Sequence, residues 1–198
     1  MIDQLLYIAG PPGVGKSTLA RELTAGWDKV VHPTERVPHV SLLHPASRHC
    51  FGIELGVPRP AFSGTDALAM DIGPRALDFL LQPGMPPFAL GEGSRLATQP
   101  FIGGLARAGV DITLVRLTAD EELLTERWRA RGSKQSPSWR KGAATRATRL
   151  TEWFSSGLAT FPGRCTLLDL DVTEAEAHDT ADRIRDVFPL VDLRESAS

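Results

Sequence analysis

The chain has 198 residues, 42% of them hydrophobic and 23% charged, with a net charge of −2, the profile of one globular domain that can bury a core without disulfides or metal. No apolar run is long enough to cross a bilayer, the opening MIDQLLYIAG lacks a secretory leader pattern, and Cys50 and Cys165 form neither a metal knuckle nor a redox pair, so a single cytoplasmic domain over 1–198 with no membrane association is expected. Charge is unevenly placed: Arg127–Arg149 holds eight Lys or Arg and no Asp or Glu, leaving about −10 on the remainder.

Gln4–Ala9 (QLLYIA) reads as a buried strand that runs directly into GPPGVGKST, Gly10–Thr18. The spacing of Leu19, Ala20 and Leu23 predicts a helix over 16–24, closed by Gly26. Gly10–Ser17 fit G-x-x-x-x-G-K-[ST] in the strand–loop–helix context that this pattern requires. Its glycines let backbone N–H groups turn inward around phosphate, and the helix N-terminus adds its dipole. Lys16 is positioned to reach the β and γ oxygens, and the Ser17 hydroxyl to ligate Mg2+. Gly10, Pro12, Gly13, Val14, Gly15, Lys16, Ser17 and Thr18 are therefore expected to hold a Mg2+-complexed nucleoside triphosphate, with ATP the preferred donor.

Beyond the loop, 29–31 is a second strand candidate. Residues 33–65 are punctuated by proline and glycine, with short helical pieces expected around 39–48. Because this stretch still carries Leu42, Leu43, Phe51, Ile53 and Leu55, 33–81 reads as an acceptor-binding insertion. A helix is expected over 66–81, interrupted at Gly73-Pro74. A third strand, 87–90, ends at Gly91-Glu92-Gly93, and a helix follows over 94–108. Asp111–Leu117 (DITLVRL) is a clear strand, and Thr118 with Glu121 looks like a capping box for a helix to about Arg131. A helix over 142–157, a strand over 166–170 and a final helix capped by Thr173 and running to Phe188 complete the series.

Strands alternate with helices, and the strands are continuous apolar runs rather than alternating ones, as when both faces are covered. The expected fold is an α/β three-layer sandwich with a parallel sheet of about five strands. In such sheets the site lies at the carboxyl ends of the strands, which should place Gly10, His32, Gly91-Glu92, Thr118 and Asp171 along one edge.

The chain has no guanine-reading N-K-x-D segment and no apolar strand ending in the Asp or Asp-Glu of motor ATPases. This order of parts resembles the nucleoside and nucleotide kinase branch of the P-loop NTPase fold. The resemblance implies an arginine-rich lid, here 127–149, in which Arg127, Arg129, Arg131, Arg140, Lys141 and Arg146 are the cations available. Arg127 and Arg131 stand four apart on one helical face and are the leading candidates for catalysis and for contact with the donor phosphates. Phosphoryl transfer moves a highly charged group, so positioning, cations and water exclusion are what the protein must supply.

Transfer also needs an acceptor site. Asp66, in FSGTDAL, is a candidate base whose plainer role is capping. Glu92 is a candidate base or a group that orients Mg2+, and Arg95 a candidate phosphate ligand; the pair is similar to the Glu-Arg or Asp-Arg element of deoxynucleoside and thymidylate kinases. Phe51, Phe62 and Phe101 could sandwich a planar base, although core packing is the plainer role for each. The reading is an ATP- and Mg2+-dependent phosphotransferase acting on a hydroxyl or phosphate of a nucleotide-like or other small acceptor.

Two alternatives stand beside it. The basic stretch with Trp139, together with FSGTDALAM and EGSRL, resembles kinases of actinobacteria and their phages, with the DNA kinases that phosphorylate 5-hydroxymethyluracil as a candidate relative. A nucleic-acid strand is also held by aromatic and cationic groups together. The other alternative is a nucleotide-gated binding module or ATPase without an acceptor.

Overall fold

A computed structural model describes residues 1–58, 64–132, 135–157 and 160–188. Among them seven strands form one sheet in the order β2-β3-β4-β5-β1-β6-β7: β1 (Gln4–Ala9), β2 (Asp28–His32), β3 (His39–Leu43), β4 (Cys50–Leu55), β5 (Phe88–Glu92), β6 (Asp111–Thr118) and β7 (Cys165–Asp171). The helices are α1 (Lys16–Leu23), α2 (Ile72–Leu80), α3 (Gln99–Arg107), α4 (Glu121–Ala130), α5 (Pro137–Gly157) and α6 (Ala177–Arg185). A 3₁₀ turn covers Gly64–Ala67.

The run β4-β5-β1-β6-β7 is parallel throughout, which makes five parallel strands. The sheet nevertheless has seven, because β2-β3-β4 is an antiparallel meander. Two of its strands, β3 and β4, fall where the sequence predicted irregular chain and short helical pieces. The prolines and glycines of that region mark the turns and ends of the meander rather than an absence of strands. β2 falls on the strand expected over 29–31; it is an edge strand with Val30 and Val31 exposed.

Both faces of the parallel strands are covered. Leu5, Tyr7 and Ala9 of β1 face a core built with Ile72, Ala76 and Leu80 of α2, Phe101, Ile102 and Leu105 of α3, and Ala147, Leu150 and Phe154 of α5. Leu6 and Ile8 face the other core, with Leu19, Ala20 and Leu23 of α1 and Ala181 and Ile184 of α6. These are the three layers expected from the sequence.

Several element boundaries differ. Gly73-Pro74 lies in the first turn of α2 instead of breaking a longer helix, as suits a proline whose missing N–H is harmless there. α3 begins after Thr98 with Pro100 in its first turn. Asp120, not Thr118, precedes α4, since Thr118 is still paired to Asp171 in the sheet. α5 starts at Pro137, earlier than expected, with the Ser136 hydroxyl accepting the Trp139 amide at 3.2 Å. α6 starts at Ala177; Thr173 donates its hydroxyl to Asp171 at 2.7 Å instead of capping it.

Gly10, Glu92, Thr118 and Asp171 do lie at one edge, because β5, β1, β6 and β7 are parallel and in register. His32 ends β2 at the same edge, but four strands from β1 in the sheet order. At about 4.8 Å per strand it stands about 19 Å away.

Candidate active site

The loop after β1 takes its shape from three glycines with positive φ: Gly10 at 149°, Gly13 at 83° and Gly15 at 106°. At Gly10 the backbone passes so close to β6 that a Cβ would lie 2.6 Å from the Leu117 carbonyl oxygen. No side chain caps α1 at Gly15. A helix start of this kind offers its amides and positive dipole end to an anion.

Lys16 folds back over the loop, its Nζ donating to the carbonyls of Gly10 at 3.1 Å and Pro11 at 3.0 Å. Burial pushes its pKa below the ordinary lysine value, the carboxylates of Glu92 and Asp66 oppose that shift, and the charge of Arg131 adds to it. The Ser17 hydroxyl donates to Glu92 Oε1 at 2.8 Å, and Glu92 is only 6% exposed. A hydroxyl and a carboxylate in contact at the end of the loop form an oxygen donor set of the kind that hard divalent cations take, so the residues present fit Mg2+. The Glu92 backbone is fixed as well. Its carbonyl accepts from Thr65 Oγ1 at 2.9 Å, and Tyr7 Oη lies 3.1 Å from that hydroxyl and donates to the Gly93 carbonyl at 3.2 Å. Burial raises the Tyr7 pKa well above the usual phenol value, so this network stays uncharged. Gly64 abuts the carboxylate, and a Cβ there would fall 2.4 Å from Glu92 Oε1.

Asp66 lies near the loop but spends Oδ1 on the chain after β5. That oxygen accepts from the Ser94 amide at 2.8 Å, the Ser94 hydroxyl at 2.8 Å and the Arg95 amide at 3.1 Å. Arg95 is half-buried, and its guanidinium makes no hydrogen bond or ion pair among the described residues. On the other side of the loop, Arg127 Nη1 donates to the carbonyls of Gly13 at 3.5 Å and Val14 at 3.3 Å. Arg127 and Arg131 border a cavity of about 360 Å³ that runs from Gly13–Gly15 and Thr18 to the segment 172–177 after β7. Its volume is that of a small-molecule pocket. The 172–177 segment carries no motif and was not legible in the sequence.

Trp128 was also missed. Its Nε1 donates to the Pro12 carbonyl at 2.7 Å, and the Arg140 guanidinium lies over its ring, 4.0 Å from the centroid. The only sequence signal was a large aromatic between two arginines in a helix with few apolar residues. Among the described residues, Phe51 and Phe101 do not assemble a sandwich. Phe101 is 2% exposed and packs edge-on to Tyr7 in the core. Phe51, near the start of β4, packs against Trp27 and His49 at the opposite edge of the sheet. Phe62 lies outside the described residues, as do 59–63 of the expected insertion and 133–134 of the expected lid. Within the basic stretch Arg129, Arg131, Lys141, Arg146 and Arg149 are exposed.

A strand–glycine loop–helix unit at the centre of a mainly parallel sheet, with a lysine folded over the loop and a serine against a buried carboxylate, defines a P-loop NTPase-type protein. The family model described as P-loop Nucleotide Kinase3 matches residues 1–165. The chain belongs to that family. Among solved structures it is similar to the tunicamycin resistance protein of Deinococcus radiodurans, with 21% identity and a TM-score of 0.47 over 94% of this chain and 95% of that one. It is also similar to a candidate kinase from Chloroflexus aurantiacus j-10-fl, with 18% identity and a TM-score of 0.45 over 96% and 97%. Both likenesses are too distant to bear on activity. No curated protein matches. Among the described residues no helix is long and apolar enough to cross a membrane.

Proposed function

We propose that this chain is an ATP- and Mg2+-dependent kinase that transfers the γ-phosphate to a hydroxyl or phosphate of a nucleotide-like or other small acceptor. The observation that carries the reading is the convergence on one loop of Lys16, the Ser17–Glu92 pair and the Arg127 guanidinium. Bound Mg2+ would neutralise charge on the phosphates. Ser17 and Glu92 would hold it, Lys16 and Arg127 would stabilise the moving phosphoryl group, and Arg131 would sit at the donor cavity. Asp66 fixes the turn that carries Ser94 and Arg95 through Oδ1, and Asp66 or Glu92 would align the acceptor.

The test is a transfer screen with γ-labelled ATP against nucleosides, nucleotides, small hydroxylated metabolites and hydroxymethylated DNA, run beside Lys16→Ala. The expected result is label on one acceptor class with the wild type and none with the variant. Equal transfer by Lys16→Ala overturns the reading, and acceptor-independent ATP hydrolysis favours an ATPase or nucleotide-gated module.

One observation favours a DNA acceptor carrying 5-hydroxymethyluracil as a second reading: Trp139 is 41% exposed beside cations on α5. At 100° per residue, Trp139 and Arg146 share a side of α5 and Arg149 flanks it at about 80°, but Lys141 points away from it. A strand laid along one face would meet only part of the charge, and for that reason the small acceptor is preferred. DNA binding that weakens steeply with salt would reverse the preference.

A further inference from the structure

Glycine flanks Glu92 on both sides, and each glycine makes room for a neighbouring side chain. Tyr7 of β1 stands opposite Gly91 in the parallel register, and a Cβ on Gly91 would fall 2.6 Å from the Tyr7 ring. The ring therefore lies across β5 and carries its hydroxyl to the end of that strand. Gly93 has φ +115°, and a Cβ there would fall 3.0 Å from both Thr65 Oγ1 and the Asp66 carboxylate. The fully buried Thr65 can thus close on the chain that leaves β5.

The 3₁₀ turn Gly64–Ala67 then grips Glu92 at two points. Thr65 Oγ1 donates to the Glu92 carbonyl at 2.9 Å, and the Gly64 backbone lies so close to the carboxylate that a Cβ would come 2.6 Å from its Cδ. Tyr7 Oη stands 3.1 Å from the Thr65 hydroxyl and donates to the Gly93 carbonyl at 3.2 Å, so the turn is braced from β1. Across the carboxylate from this turn, the Ser17 hydroxyl donates to Oε1. A carboxylate confined in this way has few orientations open to it, and groups that orient a metal ligand set the affinity of the site as the ligand itself does. The same turn carries Asp66, which holds the Arg95 amide.

We propose that Thr65, braced by Tyr7, is the positioning residue that sets Glu92 for Mg2+, and that the two glycines of Gly91-Glu92-Gly93 serve to admit this clamp. Thr65 reaches the Ser17 hydroxyl through Glu92, so it tunes the metal site without being one of its ligands. The inference rests on the reading of Ser17 and Glu92 as the Mg2+ site, but it is tested by nucleotide binding alone, so it does not depend on finding an acceptor.

The experiment titrates the full chain with a fluorescent, non-hydrolysable ATP analogue, once with Mg2+ and once with EDTA, and reads the ratio of the two Kd values. The wild type is expected to bind more tightly with Mg2+ by about tenfold or more, and Thr65→Val, which keeps the volume and loses the hydroxyl, is expected to lose most of that gain. Its affinity in EDTA should stay within about twofold of the wild type, because the loop itself is untouched. Thr65→Ser returns the hydroxyl and should return the ratio to within about twofold of the wild type. A Thr65→Val protein that keeps the wild-type ratio, one that weakens binding equally with and without Mg2+, or an equal loss in Thr65→Ser overturns the proposal. If Thr65→Val fails to fold by circular dichroism, Tyr7→Phe carries the test: a lowered ratio supports the proposal and an unchanged ratio overturns it. A normal Mg2+ gain with an insensitive Thr65→Val removes this inference and leaves the metal site of the proposed kinase standing. A wild type that gains nothing from Mg2+ removes both.

Discussion

The loop pattern leaves position 13 open to any residue, yet the folded chain demands glycine there, and Gly13→Ala makes that demand measurable. Gly13 has φ +83°, and a Cβ on it would sit 2.6 Å from Trp128 Nε1 and 2.9 Å from Cδ1. Holding alanine in left-handed backbone costs about 1–2 kcal/mol. The collision must also displace the indole, which loses the hydrogen bond to Pro12, worth about 1 kcal/mol, and disturbs the Arg140 stack. Together these predict a loss of about 2–4 kcal/mol of stability for Gly13→Ala. Urea denaturation of the nucleotide-free wild type, Gly13→Ala, Trp128→Ala and the double variant separates the two causes. The backbone cost survives without Trp128, whereas the collision cost disappears, so the cycle should show a coupling of about 1–2 kcal/mol. Additivity within about 0.5 kcal/mol would refute the claim that Trp128 excludes a side chain at position 13.

Three further outcomes follow from the same geometry. Glu92→Gln removes the charge that meets Ser17 at 2.8 Å; the Mg2+ concentration for half-maximal transfer should rise about tenfold or more with little change in urea midpoint, and an unchanged Mg2+ requirement would remove Glu92 from the metal site. Asp66→Ala strips three hydrogen bonds from Ser94 and Arg95 and should cost about 2–3 kcal/mol of stability by urea denaturation, whereas a loss below about 0.5 kcal/mol would mean that the turn holds without it. His39 is buried against Phe79, stacked on His32 at 4.6 Å and hydrogen-bonded to the Val37 carbonyl; burial lowers its pKa, the Val37 hydrogen bond and Glu35 oppose that shift, and His32 adds to it. The unfolded chain therefore takes the proton first, so stability should be intact above about pH 6.5 and fall as the pH drops below it toward the depressed folded value. Thermal melts should show that slope, and His39→Gln should flatten it; an equal slope in the variant would assign the acid sensitivity to other groups.

The phosphate loop, the buried central strands and the alternation of strands with helices were legible in the sequence because each depends on short-range pattern: glycine placement, a run of apolar residues, helical spacing. Glu92 could be flagged for the same reason, as an acid closing a buried strand. β2 was marked as well, by its short apolar run. β3 and β4 could not be: their pairing is a choice among partners distant in sequence, and the prolines and glycines around them looked like irregular chain. Phe51 and Phe101 do not meet because aromatic residues bury equally well in a core or a pocket, and only the packing directions of β4 and α3 decide between them.

From sequence alone the chain was bound to be a phosphate-binding α/β domain with a concentrated positive charge, since loop chemistry and net charge are properties of neighbouring residues. Tertiary structure decided what that charge does. It set Arg127 on the loop carbonyls, placed Arg140 on an indole that the sequence did not mark, and gave one oxygen of Asp66 to a backbone turn. The reason is geometric: these contacts join residues between 12 and 114 positions apart, and no local pattern records which distant groups the folded sheet brings to one edge.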